Sequence, residues 1–146
     1  MHIEIREQRF EPWQTLAQYQ ESRAELRDKF GATASFVGTM RDFNEGDSVR
    51  GMVLEHYPGM TEQHLRHILT TAAERFALLD ALVIHRVGQL WPNDPIVLVA
   101  VWTAHRGAAF DACRLIMEDL KHQAPFWKKE SLADGQQRWV ERNTAG

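Results

Sequence analysis

The chain has 146 residues, 44% hydrophobic and 25% charged, which is ordinary for one soluble globular domain over residues 1–146. Its 17 basic and 20 acidic residues give a net charge of −3, which argues against a general nucleic-acid coat. No apolar run approaches the ~20 residues of a membrane span, and the N-terminus lacks a signal-peptide core. Together with the single Cys113, which suits a reducing compartment, these features predict a cytoplasmic location.

The first third of the sequence is predicted to contain a strand, a helix and a long hairpin. Apolar residues alternate over residues 2–10, which favours a strand. Pro12 opens a helix, because a proline in the first turn loses no hydrogen bond, and Gly31 ends it. The apolar runs on either side of the turn residues 42–48 predict a hairpin over residues 32–56.

A second helix and another strand follow. Thr61 is predicted to cap this helix, whose buried face extends to Phe76. The next strand covers residues 81–87. Residues 88–95 contain a glycine and two prolines, which indicates a rigid connection to the strand after it.

The central stretch combines a buried strand with an amphipathic helix. Residues 97–102 are continuously apolar, as expected of a strand covered on both faces. A helix is predicted over residues 107–122. Its buried stripe consists of Phe110, Cys113, Met117 and Leu120. Pro125 ends the helix, and strands over 126–129 and 137–141 complete the order β-α-β-β-α-β-β-α-β-β, which indicates an α+β fold.

Positive side chains collect along this helix and the strand after it. They are His105, Arg106, Arg114, Lys121 and Lys128. Because these residues lie on connected elements, they could converge on one pocket for an anionic substrate. Lys121 or Lys128 could act there as acid, base or nucleophile if burial and like charge lower its pKa. The alternative is that both lysines are solvated and that only their stems cover neighbouring aromatic rings.

The remaining polar candidates also admit a structural interpretation. His105 and Arg106, at a strand-to-helix junction, could bind a phosphate, or could be a helix-terminal histidine beside a surface arginine. Arg41 ends a strand before a glycine-bearing loop. Considered by itself, this position predicts an ordinary surface arginine. The histidines show no recognised ligand spacing, and Cys113 falls within the apolar stripe. No metal site and no nucleophilic cysteine are therefore predicted.

Five separated strings resemble, in order and spacing, the MoaE family of large, catalytic subunits of molybdopterin synthase. They are FVGTMRDFNEGDSV (36–49), LEHYPGM (54–60), VIHRVGQLWPNDPIVLVAV (83–101), AHRGAAF (104–110) and MEDLKHQAPFWKKE (117–130). Together they cover most of residues 34–142.

The resemblance implies an α/β-hammerhead type of fold with an additional antiparallel β subdomain. It implies a sulfurtransferase that converts cyclic pyranopterin monophosphate to molybdopterin by installing a dithiolene, a step of molybdenum cofactor biosynthesis. The sulfur would come from the C-terminal thiocarboxylate of a small ubiquitin-like sulfur carrier subunit, whose glycine tail enters a pocket of the large subunit. The implied assembly is a heterotetramer built on a central homodimer of large subunits, and no metal or redox cofactor is required.

The resemblance also implies roles for particular residues. Lys121 and Lys128 match the family's catalytic lysines. The positions that match its substrate-binding residues are Phe36, Arg41, His105, Arg106, Met117 and Arg142. Of these, Phe36 and Met117 would line the pocket, and Arg142 would reach the neighbouring subunit's site, with Arg138 as a rival for that role.

Two other classes of function remain open on the sequence alone. The chain could be a non-catalytic module that docks a ubiquitin-like partner by its tail. It could also be a small RNA-binding domain that uses Trp127, Lys128, Lys129 and Arg138, although the negative net charge disfavours nucleic acid.

Overall fold

A computed structural model describes residues 1–140 of the chain. Within these residues the helices are α1 (Pro12–Ser22), α2 (Met60–Phe76) and α3 (Arg106–Gln123). The strands are β1 (His2–Arg6), β2 (Ala32–Thr39), β3 (Phe43–Asn44), β4 (Asp47–His56), β5 (Asp80–Arg86), β6 (Gly88–Leu90), β7 (Pro95–Thr103), β8 (Phe126–Leu132) and β9 (Gln137–Val140). None of the three helices is long and apolar enough to cross a membrane.

The first sheet holds its strands in the order β1-β5-β7-β2 and forms the centre of the molecule. β1 runs parallel to β5, whereas the other two pairs are antiparallel. Val97, Val99 and Val101 of β7 pack under α2 and α3, while Leu98 and Trp102 pack on the other side against residues of α1. The prediction of a strand covered on both faces is therefore confirmed.

The second sheet is antiparallel throughout, with the order β3-β4-β8-β9 and with β6 paired to β4. It has a small core of its own. This core consists of Met40, Val49, Met52, Leu54, Leu90 and Leu132. The α+β class and the additional antiparallel sheet are thus as predicted.

The predicted hairpin over residues 32–56 is wrong. β2 pairs along its whole length with β7, whereas β4 pairs with β8 in the second sheet. Met40 carries the chain from one sheet to the other. Its N–H donates to the Asp94 carbonyl, its carbonyl accepts from the Asn93 N–H, and its side chain lies in the second core. Only residues 43–48 form a short hairpin.

Two predicted details of the helices are also wrong. The first helix ends at Ser22 rather than at Gly31, and a 3-10 turn over Ala24–Leu26 follows it. Phe110 is 67% exposed, so it does not belong to the buried stripe of α3. Ala109, one position earlier, is buried there instead, which places Phe110 at the edge of the helix face.

Thr61 does not cap α2, as the sequence had suggested. Gly59 holds the cap position with a φ of 85°, which glycine adopts without strain. Thr61 is buried in the first turn, where its hydroxyl accepts from the Tyr57 N–H at 2.9 Å and donates to the Pro125 carbonyl at 3.1 Å. The start of α2 is thereby tied to the residue that precedes β8. Gly88–Leu90, predicted as part of a connection, pairs with β4.

Candidate active site

Two lysines meet where α3 ends and β8 begins. Lys121 lies in the last turn of α3, and Lys128 lies on β8. Because alternate residues of a strand share a face, Lys128 lies on the same side of β8 as Phe126 and Glu130. The amine of Lys121 lies close enough to that of Lys128 to lower its pKa. The fold thus brings together two residues that are separated in the sequence by a helix end and a proline.

The surroundings of Lys128 lower the pKa of its amine from 10.5 to about 8. Burial is the largest cause, and the like charge of Lys121 acts in the same direction. The carboxylate of Glu130 opposes them. A lysine with this pKa is neutral in an appreciable fraction of molecules near neutral pH, so it can accept a proton in a reaction.

A cavity of about 470 Å³, here called the basic cavity, opens beside the lysine pair. Its polar lining consists of Thr39, Arg41, Asn44, Lys121, Lys128 and Glu130. Phe36 and Phe43, which are 40% and 50% exposed, supply aromatic surface to the same cavity. Three cations around aromatic walls suit a flat ligand that carries negative charge.

A second opening of about 600 Å³, here called the apolar groove, runs between β2 and α3. Its apolar lining consists of Ala34, Phe36, Phe110, Cys113 and Met117. Its polar lining consists of Thr33, Ser35, Arg114, Glu118, Lys121 and His122. Phe36 and Lys121 line both the groove and the basic cavity. A ligand that extends along the groove would therefore end beside the lysine pair.

Glu130 anchors a network at the floor of the basic cavity. Its side chain is only 7% exposed and accepts hydrogen bonds from Arg138 Nε at 3.0 Å and from Asn44 Nδ2 at 2.9 Å. The Arg138 guanidinium also donates to Asp47 at 2.8 Å and to the Asn44 carbonyl at 2.9 Å. The loop that follows Arg41 is thereby fixed to β8 and β9.

His105 and Arg106 lie at the opposite end of α3 and are exposed. A rise of about 1.5 Å per residue separates Arg106 from Lys121 by about 22 Å. Neither His105 nor Arg106 lines the basic cavity or the apolar groove. The predicted convergence of all these cations on one pocket is therefore wrong within a single chain. Arg142, the other predicted substrate-binding residue near the C-terminus, lies outside the described residues.

The RNA-binding interpretation finds little support in residues 1–140. No group of three or more His, Cys, Asp or Glu side chains there could hold a metal ion. The proposed RNA-binding surface does not form a single stripe, because Lys128 and Lys129 point to opposite faces of β8. Arg138 is also engaged by Glu130 and Asp47.

Sequence reasoning did not single out three polar residues of this region, namely Asn44, His85 and Glu130. Glu130 follows Lys128 by two positions on the same strand, and this spacing was a usable signal. Asn44 indicates only a turn, and His85 lies within an apolar strand. For these two residues the sequence carries no local sign of the site, because the contacts that define them join distant parts of the chain.

The fold and the site together define a class, an α+β enzyme with paired lysines between a cationic cavity and an apolar groove. The sequence profile of the family described as MoaE protein matches residues 6–123. This covers well over half of the chain, and the chain belongs to the MoaE family.

Two relatives that match much of the chain carry the same name. A molybdopterin synthase catalytic subunit of Ralstonia nicotianae is 60% identical over 115 residues, which are 79% of this chain and 65% of that protein. One from Pseudomonas aeruginosa is 48% identical over 141 residues, which are 97% of this chain and 91% of the relative. This chain thus matches slightly less than two thirds of the Ralstonia protein and nearly all of the Pseudomonas protein.

Solved structures agree with the fold. The molybdopterin synthase from Staphylococcus aureus matches with a TM-score of 0.83 at 29% identity, over 95% of this chain and 96% of that chain. A complex of subunits 1 and 2 of molybdopterin-converting factor from Helicobacter pylori matches with a TM-score of 0.79 at 20% identity, over 97% of this chain and 92% of that chain. At 20% identity the second likeness concerns the fold alone.

Proposed function

We propose that this chain is the catalytic subunit of a molybdopterin synthase. It transfers sulfur from the C-terminal thiocarboxylate of a small ubiquitin-like carrier subunit to cyclic pyranopterin monophosphate and so forms the dithiolene of molybdopterin. Family membership supports the overall reaction. The observation that carries the mechanism is the pair of Lys121 and Lys128 at the junction of the basic cavity and the apolar groove.

The two openings suit the two reactants. A glycine tail is narrow and extended, and the apolar groove leads along α3 past Met117 to Lys121. The pterin is flat and carries a phosphate, and the basic cavity offers Phe36, Arg41 and Lys128. Two anions in one site repel each other unless cations offset their charge, which the lysines and Arg41 do locally in a chain of net charge −3.

Lys121 and Lys128 have different roles in the proposed reaction. The thiocarboxylate sulfur attacks the pterin side chain, the cyclic phosphate opens, and water then hydrolyses the acyl link to the carrier. Lys121, at the end of the groove, stabilises the carrier acyl group and works in proton transfer. Lys128 orients the pterin and its phosphate, and its lowered pKa lets the amine take up and return a proton.

A second large subunit completes the site in this proposal. The family resemblance gives His105 and Arg106 an anion-binding role, yet about 22 Å of helix separates Arg106 from Lys121 in one chain. His105 and Arg106 can bind the anion despite this separation if they reach the site from the partner subunit of the dimer. Arg142 is likewise assigned to the site of the neighbouring subunit. The single-domain organisation over residues 1–146 and the cytoplasmic location stay predictions.

The decisive experiment is a turnover assay with thiocarboxylated carrier and cyclic pyranopterin monophosphate, with molybdopterin as the measured product. Lys121→Ala should lower the rate by at least about 100-fold, because acid–base and electrostatic contributions of one group reach this size. Lys129→Ala, on the outer face of β8, is the matched control and should stay near wild type. Near-normal turnover by Lys121→Ala would refute the assigned role. Carrier binding without any product from the wild type would favour the non-catalytic docking module.

A further inference from the structure

A small cavity of about 40 Å³, here called the inner cavity, lies beside the lysine pair. Lys121, Lys128 and His85 line it, and Leu54, Phe126 and Val140 supply apolar walls. A volume of about 10–15 Å³ accommodates one water molecule when polar partners are present. The inner cavity is therefore large enough for a water that contacts both the lysines and His85.

The His85 ring is fixed in one orientation and one tautomer. It is only 4% exposed, and it stacks on Phe126 with ring centroids 3.9 Å apart and an interplanar angle of 14°. Its Nδ1 lies 2.7 Å from the carbonyl oxygen of Arg86. A carbonyl oxygen only accepts, so Nδ1 carries the proton and donates.

The ring is also neutral at physiological pH. The pKa of His85 is lowered to about 3, and burial is the largest cause. The charges of Lys121 on α3, Lys128 on β8 and His56 on β4 lower this pKa further. The Arg86 carbonyl on the same strand opposes them. A neutral ring with its proton on Nδ1 leaves a lone pair on Nε2.

We propose that His85 is a positioning residue for Lys128: its Nε2 accepts a hydrogen bond from a water in the inner cavity, and that water accepts one from the Lys128 amine. The relay holds the amine toward the basic cavity and favours its charged form against burial and the like charge of Lys121. The importance of this relay for turnover rests on the proposed function, whereas its effect on the pKa of the Lys128 amine does not.

Two variants of His85 separate this role from a structural one. The side-chain oxygen or nitrogen of glutamine reaches close to the position of Nε2, whereas asparagine reaches only to that of Nδ1. His85→Asn should therefore keep the bond to Arg86 and lose the relay. His85→Gln should keep an acceptor in the inner cavity. If His85 has a purely structural role, which depends on its bond to Arg86, then His85→Asn should behave like the wild type and His85→Gln should be the more disturbed variant.

The measurement is an NMR titration of the Lys128 side chain in the purified full chain, read from its ¹³Cε and ¹Hε shifts. His85→Asn should lower the pKa of Lys128 by about one pH unit, because a hydrogen bond to the charged form is lost. His85→Gln should stay within about 0.3 pH units of wild type. His56→Gln removes a nearby histidine that does not line the inner cavity, and it is the matched control for loss of an imidazole.

Val140→Leu offers an independent test if a His85 variant fails to fold. The larger side chain fills the inner cavity, displaces the water and should lower the pKa of Lys128 in the same direction. An unchanged Lys128 titration in the folded variants, or equal shifts in His85→Asn and His85→Gln, would overturn the proposal.

Turnover gives a second readout. Under the proposed function, the pH at which the rate rises should move downward in His85→Asn and return in His85→Gln. If the wild type forms no molybdopterin, the proposed function fails, while the NMR ranking still decides the role of His85.

Discussion

Lys128 and Glu130 share one face of β8 but influence the site in opposite ways. Lys128 is brought into a half-buried position beside another lysine, which makes its charge costly. Glu130 lies two residues further on, favours the charged amine and holds Asn44 and Arg138. Burial and Lys121 lower the pKa of Lys128 more than Glu130 raises it, so the amine releases its proton more readily than an ordinary lysine.

Replacing Lys128 by methionine should stabilise the protein at neutral pH. The folded chain binds the Lys128 proton more weakly than the unfolded chain, because the pKa falls from 10.5 to about 8 on folding. The charged lysine therefore opposes folding fully below pH 8, and this cost disappears as the pH rises through 10.5. Lys128→Met should raise the free energy of unfolding by about 1 kcal/mol at pH 7 and by less at pH 9.5.

Urea denaturation at the two pH values measures this difference, and Lys129→Met is the control for loss of a lysine on the same strand. A Lys128→Met variant that is less stable than wild type at pH 7 would contradict the prediction.

Glu130→Gln should weaken the network at the floor of the basic cavity. The amide keeps a hydrogen-bonding shape but loses the charge that Arg138 contacts at 3.0 Å, in a side chain that is 7% exposed. We expect a loss of about 2 kcal/mol in the free energy of unfolding. Thermal and urea denaturation measure this loss of stability. Glu45→Gln, whose carboxylate is 50% exposed and 3.9 Å from Arg138, should cost no more than about 0.5 kcal/mol. Equal losses in the two variants would show that burial of Glu130 is unimportant.

At the level of elements, the sequence predicted those whose signals are local. The continuous apolar run of β7 and the periodicity of α3 identified a covered strand and an amphipathic helix. The partner of β2 could not be predicted in this way, because two strands separated by a turn look like a hairpin whether or not they pair. Met40 directs the chain from the first sheet to the second through backbone hydrogen bonds to residues more than fifty positions away. Such distant contacts leave no periodic pattern in the sequence.

The junction between β2 and β7 provides a test at this scale. Gly31 donates its N–H to the Thr103 carbonyl, and a Cβ on Gly31 would collide with the Ala104 carbonyl oxygen. Gly31→Ala should therefore cost about 2 kcal/mol of stability, because backbone atoms have to move. Gly107→Ala is the matched control. A Cβ there meets nothing within 4 Å, and alanine in a helix should leave stability unchanged or raise it by about 0.5 kcal/mol. Denaturation midpoints that rank the two variants the other way would refute this account.

At the level of the whole molecule, the sequence patterns alone did not identify the lysine pair as catalytic. They suggested a cationic site, and only the resemblance to the MoaE family assigned roles to Lys121 and Lys128. The structure supports part of that site by placing both lysines and Arg41 around one cavity. It separates His105 and Arg106 from them, since a straight helix cannot bring its two ends together.

Mixing two inactive variants tests whether a partner subunit supplies Arg106. Lys121→Ala and Arg106→Ala should each be inactive alone. In a randomly reassembled equal mixture, about a quarter of the sites would combine an intact Lys121 with an intact Arg106 from the partner, so about a quarter of wild-type molybdopterin formation should return. Mixing two preparations of Lys121→Ala is the control and should restore nothing. If the first mixture also stays inactive after proven subunit exchange, Arg106 does not act across the dimer.

Phe36 and Lys121 border both the groove and the cavity, so under the proposed function the carrier tail and the pterin occupy separate openings that meet at the lysines. A dithiolene needs two sulfur atoms, and each carrier delivers one. Under the proposed function, a spent carrier tail can therefore leave along the apolar groove and a fresh tail can enter, while the half-sulfurated pterin stays in the basic cavity.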